Sequence, residues 1–170
     1  MKIGKLIIIF LTSVILFANN AFAKCDFDAN LGDKISDVEK AHGSAFELSE
    51  ITSYIELNTE DVCENEKLGD SFVQFRFLEG ELASISIIIE NGNDNEESQK
   101  LLLYKYVEDN YGSISDDLAQ HWTGFKDWEK NGKIIVYKRI PFNFIIEEEL
   151  FISNEEYIEK INFFHDEGEL

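Results

Sequence analysis

Phe72-Val73-Gln74-Phe75-Arg76-Phe77 and Leu82-Ala83-Ser84-Ile85-Ser86-Ile87-Ile88-Ile89 stand on either side of Leu78-Glu79-Gly80-Glu81. Two runs rich in β-branched and aromatic residues around a short Gly-containing turn predict a β-hairpin. Strand alternation groups Val73, Phe75 and Phe77 with Ala83, Ile85, Ile87 and Ile89 on a buried face, and turns Gln74, Arg76, Ser84 and Ser86 to water. A sheet with one apolar face needs a second layer, and the flanking sequence supplies helices.

Upstream, residues 36–42 read as a helix. Ser36 can cap it, Glu39 can complete a capping box, and Gly43 suits the left-handed stop. Residues 46–57 read as a strand and 58–70 as a loop that is mobile unless a Cys25–Cys63 bridge ties it to the N-terminal segment. Downstream, a helix over 96–110 presents Leu101, Leu102, Tyr104, Tyr106 and Val107 and ends at Gly112. Residues 122–130 read as a strand, and Asn131-Gly132 is a type I′ turn signal leading into a strand over 133–140. Pro141, the single proline, interrupts or ends that strand; it resumes over 142–152, and Ser153-Asn154 opens a helix over 155–163. Val38-Glu39-Lys40-Ala41-His42-Gly43-Ser44 aligns with Val107-Glu108-Asp109-Asn110-Tyr111-Gly112-Ser113 at an offset of 69 residues. The fold expected is therefore α+β: an antiparallel sheet with helices packed on one face, as two tandem α-β-β-β units over 31–90 and 96–164.

The first 23 residues read as an address. Lys2 and Lys5 precede an apolar run over 6–17, and Ala21-Phe22-Ala23 places small residues at −3 and −1 of a cut after Ala23. This is the layout of a secretory signal peptide, and about a dozen apolar residues fall short of the roughly 20 that span a bilayer. The expected product is a single α+β domain over 24–170, in the periplasm or secreted. The 170-residue chain has 15 Lys+Arg against 34 Asp+Glu. Because the leader carries two lysines and no acid, the remaining 147 residues hold a charge of −21. That balance argues against nucleic acid, which demands cations, and against an anionic membrane surface. Export also makes pairing of Cys25 with Cys63, the two cysteines of the chain, the default.

Gly32-Asp33-Lys34-Ile35-Ser36-Asp37-Val38-Glu39-Lys40-Ala41-His42-Gly43 resembles the opening helix of small exported bacterial modules, the outer-membrane-assembly lipoprotein (SmpA/OmlA) type and the β-lactamase-inhibitor-protein type. Gly32, Asp37, Val38 and Gly43 fit their turn–helix–turn spacing, while Lys34 stands where a Ser/Thr cap belongs. Lys24 before Cys25 also departs from the lipobox of the lipoproteins. The resemblance implies a protein-binding sheet face and no catalysis, and it carries over no functional residues.

No nucleophile motif, Gly-rich phosphate loop or metal spacing of His42, His121 and His165 is present, so no cofactor is expected. Calcium has one candidate, Asn91-Gly92-Asn93-Asp94-Asn95-Glu96, whose hard oxygens Asp94 and Glu96 lack the order of a calcium loop. Glu147-Glu148-Glu149 in a strand must send at least one carboxylate to the sheet's second side. Trp122, Phe125 and Trp128 are either core or a protein-binding patch. With Glu147 and Glu149 they form the candidate partner site. The function expected is an exported, non-enzymatic protein-binding module, inhibitor- or immunity-like toward a basic partner. The alternatives are a small carboxylate- or metal-dependent hydrolase, or a divalent-cation buffer.

Overall fold

The structure, a computed structural model, describes residues 25–92, 96, 99–143 and 145–166. The expected leader and most of the calcium candidate, Asp94 included, lie outside the described residues. In chain order the elements are α1 (Ile35–His42), β1 (Phe46–Glu47), β2 (Thr52–Asn58), α2 (Thr59–Val62), β3 (Ser71–Leu78), β4 (Glu81–Asn91), α3 (Leu102–Tyr111), β5 (Gly124–Lys130), β6 (Lys133–Phe142), β7 (Ile145–Ser153) and α4 (Glu155–Asp166). Single 3-10 turns, Gln99–Leu101 and Ala119–His121, precede α3 and β5.

All strand pairs are antiparallel, in the order β1-β2-β3-β4-β7-β6-β5. Two α-β-β-β units, α1-β2-β3-β4 and α3-β5-β6-β7, thus meet where β4 pairs with β7. The helix ends repeat as well. Gly43 (φ +98) and Gly112 (φ +121) stop α1 and α3 in a backbone region that L side chains avoid. In each unit the Glu four residues earlier folds over the stop. Glu39 Oε1 accepts from Ala45 N–H at 2.9 Å, and Glu108 Oε1 accepts from Ile114 N–H at 3.5 Å. Glu39 therefore clasps the C-terminus of α1 rather than completing a capping box; the N-cap is Lys34, with no side-chain cap bond.

Val38 of α1 and Leu103, Tyr104, Tyr106 and Val107 of α3 bury against Phe75, Ile85, Ile87, Ile135, Tyr137 and Leu150, so these two helices share a face. Leu103, not Leu101 or Leu102, is the buried leucine, because the 3-10 turn delays the start of α3. The last helix sits on the other side. Tyr157 packs on Leu78 and Ala83, with Ile161 and Phe164 beside it, and Asn154 Oδ1 caps α4 by accepting from Tyr157 N–H at 2.9 Å.

A bulge explains how α4 finds that seat. The β3–β4 register steps from Arg76↔Ser84 to Phe77↔Leu82, leaving Ala83 as the extra residue. Leu82 thereby joins Phe77 in the main core, and Ala83, expected there, turns toward α4. Ser84 and Ser86, expected in water, are buried at 2% and 5% exposure. Residues 46–57 form two strands instead of one: Leu48 N–H and Ser49 N–H both donate to the Thr52 carbonyl, and Ser49 Oγ accepts from Thr52 N–H at 3.1 Å. A polar reversal without Gly or Pro leaves no breaker signal to read.

Residues 58–70, expected as a loop held by the disulfide and otherwise mobile, are also packed. The Cys25–Cys63 disulfide fastens the segment to the first described residue, Asp26 N–H donates to the Val62 carbonyl at 2.8 Å, and Val62 and Leu68 are buried. Tyr106 of α3 completes the attachment by accepting from Cys25 N–H at 3.3 Å. Pro141 lies inside β6, paired with Ile146 of β7. It is tolerated because β5 begins opposite Arg139, so beyond that point β6 has a neighbour on one side only. Asn131 (φ +54) and Gly132 (φ +71) make the expected two-residue turn between β5 and β6.

Candidate protein-binding face

Strand alternation gives the sheet a second face, and α4 covers only one end of it. The remainder carries an apolar stripe that can be followed by register. Phe72 on β3 lies opposite Ile88 on β4, and Phe151 on β7 lies opposite Val136 on β6. Ile134 and Ile140 extend the stripe along β6, and all six side chains are partly exposed. At the β5 edge Phe125 is 67% exposed, and at the β1 edge the 61%-exposed Phe46 stacks on Tyr54 at 5.6 Å. A soluble sheet normally covers such a surface or fills it with polar groups.

Carboxylates frame the stripe. Glu56 stands on β2; Glu90 and Glu147 face each other across β4 and β7; Asp127 and Glu129 lie on β5 opposite Val136 and Ile134. Glu149 sits nearer the middle, where Oε1 accepts from Ser86 Oγ and Oε2 pairs with Lys138 Nζ, both at 2.7 Å. Arg76 also stands on this face, and it donates to Gln74 Oε1 at 3.3 Å. Acids therefore outnumber bases around an apolar centre.

The five residues proposed from sequence divide between the faces. Phe125, Glu147 and Glu149 belong to the open face. Trp122 does not: it precedes β5 and stacks on Tyr137 at 5.6 Å, edge-on to Tyr104 at 6.1 Å. Trp128 is partly buried beside Tyr111, with ring centroids 6.3 Å apart, on the helix side of β5. Sequence reading missed Phe72, Ile88, Val136 and Phe151, because their outward positions depend on which phase of alternation the core selects.

Glu148, between the two outward acids, points into the core with its side chain fully shielded. Its carboxylate accepts from Arg139 Nε (3.2 Å), Tyr137 Oη (2.7 Å) and Asn91 Nδ2 (2.9 Å). Arg139 also donates through Nη1 to the carbonyls of Ala119 (2.7 Å) and Trp122 (3.0 Å), which fixes the 3-10 turn over the sheet. Burial pushes the Glu148 carboxyl up from its ordinary value against the pull of Tyr137, Arg139 and Asn91. Burial, reinforced by Glu148, pushes the Tyr137 phenol up as well.

On the helix side an open groove of about 820 Å³ runs past the disulfide, lined by Asp26, Asp28, Asp61, Glu64 and His42 among others. His42 Nε2–H donates to the Phe27 carbonyl at 3.0 Å, and the ring lies 5.0 Å from that of Phe75. All four of those carboxylates are exposed. His121 and His165 are exposed elsewhere, as is Glu96. Among the described residues no three His, Cys, Asp or Glu are grouped to hold a metal ion, and no helix is long and apolar enough to cross a membrane.

These features define an acidic α+β protein with a half-covered sheet and a disulfide-fastened N-terminal segment. Comparisons with protein-family models, curated proteins and solved structures found no match.

Proposed function

We propose that the chain is an exported, non-enzymatic binding module whose open sheet face takes a basic protein, in the manner of an inhibitor or immunity protein. The observation that carries this reading is the apolar stripe through Phe72, Ile88, Phe151 and Val136, framed by Glu56, Glu90, Glu147, Asp127 and Glu129. Aromatic and aliphatic side chains supply desolvation energy at the centre of an interface, and a rim of one sign selects the partner's charge. The −21 of the expected mature chain adds long-range attraction that salt screens over about 8–10 Å. The disulfide is compatible with an oxidising compartment.

The test is affinity capture from secreted and periplasmic extracts at low salt and at about 0.5 M salt. The reading predicts a basic protein held at low salt and released at high salt. It also predicts that Phe125→Glu or Phe151→Glu abolishes capture while Asp37→Asn, at an exposed position of α1 on the opposite side of the sheet, leaves it intact. Retention by both face variants would refute the assignment of the face. A second reading, a small carboxylate hydrolase, would use the groove at His42, but its exposed acids lack the water exclusion that acid–base chemistry ordinarily draws on.

A further inference from the structure

The helix layer leaves a gap over the seam between the two units. Ile85, Ile152 and Ile135 sit side by side on β4, β7 and β6 and form its floor. Phe27 and Tyr111 wall it from the lead-in to α1 and the end of α3. The gap measures about 130 Å³, near the roughly 150 Å³ of a dry cavity that accepts a benzene ring. Its mouth is the β5–β6 turn, with exposed Lys130 and Lys133 on either side of Asn131-Gly132. Among the described residues no Asp or Glu lines it, although the chain has 34 of them against 15 Lys+Arg. Lys130, one of its lining residues, donates from Nζ to the Asn110 carbonyl at 3.4 Å.

We infer that this seam pocket binds a small carboxylic acid with a compact apolar body, the body on the isoleucine floor and the carboxylate at Lys130 and Lys133. The floor offers a polar body no hydrogen-bond partner, so burying one there is unfavourable. The volume limits the body to about one ring or a short branched chain. Two ammonium groups at the mouth favour an anion over its neutral analogue. The site lies on the opposite side of the sheet from the protein-binding face and does not rest on that reading.

Benzoate, with benzamide as its neutral counterpart, tests the proposal by titration of isoleucine methyl NMR signals. Saturable shifts confined to Ile85, Ile135 and Ile152 are expected with benzoate, and benzamide should bind about three- to tenfold more weakly, the range two exposed charge pairs supply. Lys130→Gln with Lys133→Gln, both exposed positions, should erase that preference while benzamide binding persists. Absence of saturable shifts with either compound, shifts at other methyls only, or equal affinity for the two compounds in the unaltered protein would overturn the inference.

Discussion

Arg139 and Glu148 show how a single pair of side chains can organise a seam. Both are fully shielded, and together with Tyr137 and Asn91 they join β4, β6 and β7 to the turn that carries Trp122. A buried ion pair is weak support for stability in itself, but removing one partner is severe. Arg139→Met should cost about 3–5 kcal/mol near pH 7. The loss should shrink at about pH 5, because the abandoned carboxyl can take up a proton. Glu148→Gln should cost a similar amount without that recovery, since Arg139 stays charged. Urea unfolding of both variants at the two pH values checks the pair; identical pH responses would contradict the account. From sequence, Glu147-Glu148-Glu149 in a strand must divide between the two sheet faces, but the run alone does not single out Glu148 and Arg139 as a buried pair. The legible signal was parity: Arg139 shares a strand face with Tyr137 and Ile135, and Glu148 with Leu150 and Ile152.

At the level of elements, the helix stops and the staple make the most separable predictions. The bond from Ala45 to Glu39 at 2.9 Å is shorter than that from Ile114 to Glu108 at 3.5 Å. Glu39→Ala should therefore cost about 1–1.5 kcal/mol and Glu108→Ala distinctly less, by chemical denaturation. Equal losses would show that the clasp is not what the carboxylates contribute. The disulfide spans 38 residues, and replacing both cysteines by serine should cost up to about 4 kcal/mol on the loop-entropy account. The β3–β4 hairpin, the Asn131-Gly132 turn and both glycine stops were readable because local chemistry alone demands them. The staple from Cys25 to the 58–70 segment was readable from the cysteine pair, but the bulge at Ala83, the split of 46–57 and the burial of Val62 and Leu68 were not. The bulge depends on α4, distant in sequence, and the buried loop on the N-terminal segment, while the split of 46–57 is a local polar reversal that carries no Gly or Pro to mark it.

For the whole molecule, burial raises the carboxyls of Glu148 and of Glu66, the latter with Asp109 adding to the shift. An acid with a raised folded pKa binds protons more readily in the folded chain than in the unfolded one. Stability is then lower above the folded value and recovers as pH falls toward the ordinary carboxyl range. Relief of repulsion among 34 acids acts in the same direction. The Tm by calorimetry should rise between about pH 7 and about pH 5; a fall over that window would contradict the account. The α+β class and two tandem units in one antiparallel sheet were legible, because two one-faced sheets complete each other in few ways; that β4 and β7 make the join was not. Which face stays open was not, since it depends on where α4 lands.

The face itself is tested most directly by hydroxyl-radical footprinting of the chain alone and with the basic protein it captures. The account predicts that Phe72, Phe125 and Phe151 lose reactivity on binding while Trp122 and Trp128 keep theirs. Unchanged phenylalanines with new protection along the groove at His42 and Asp61 would place the interaction on the helix side and refute the account.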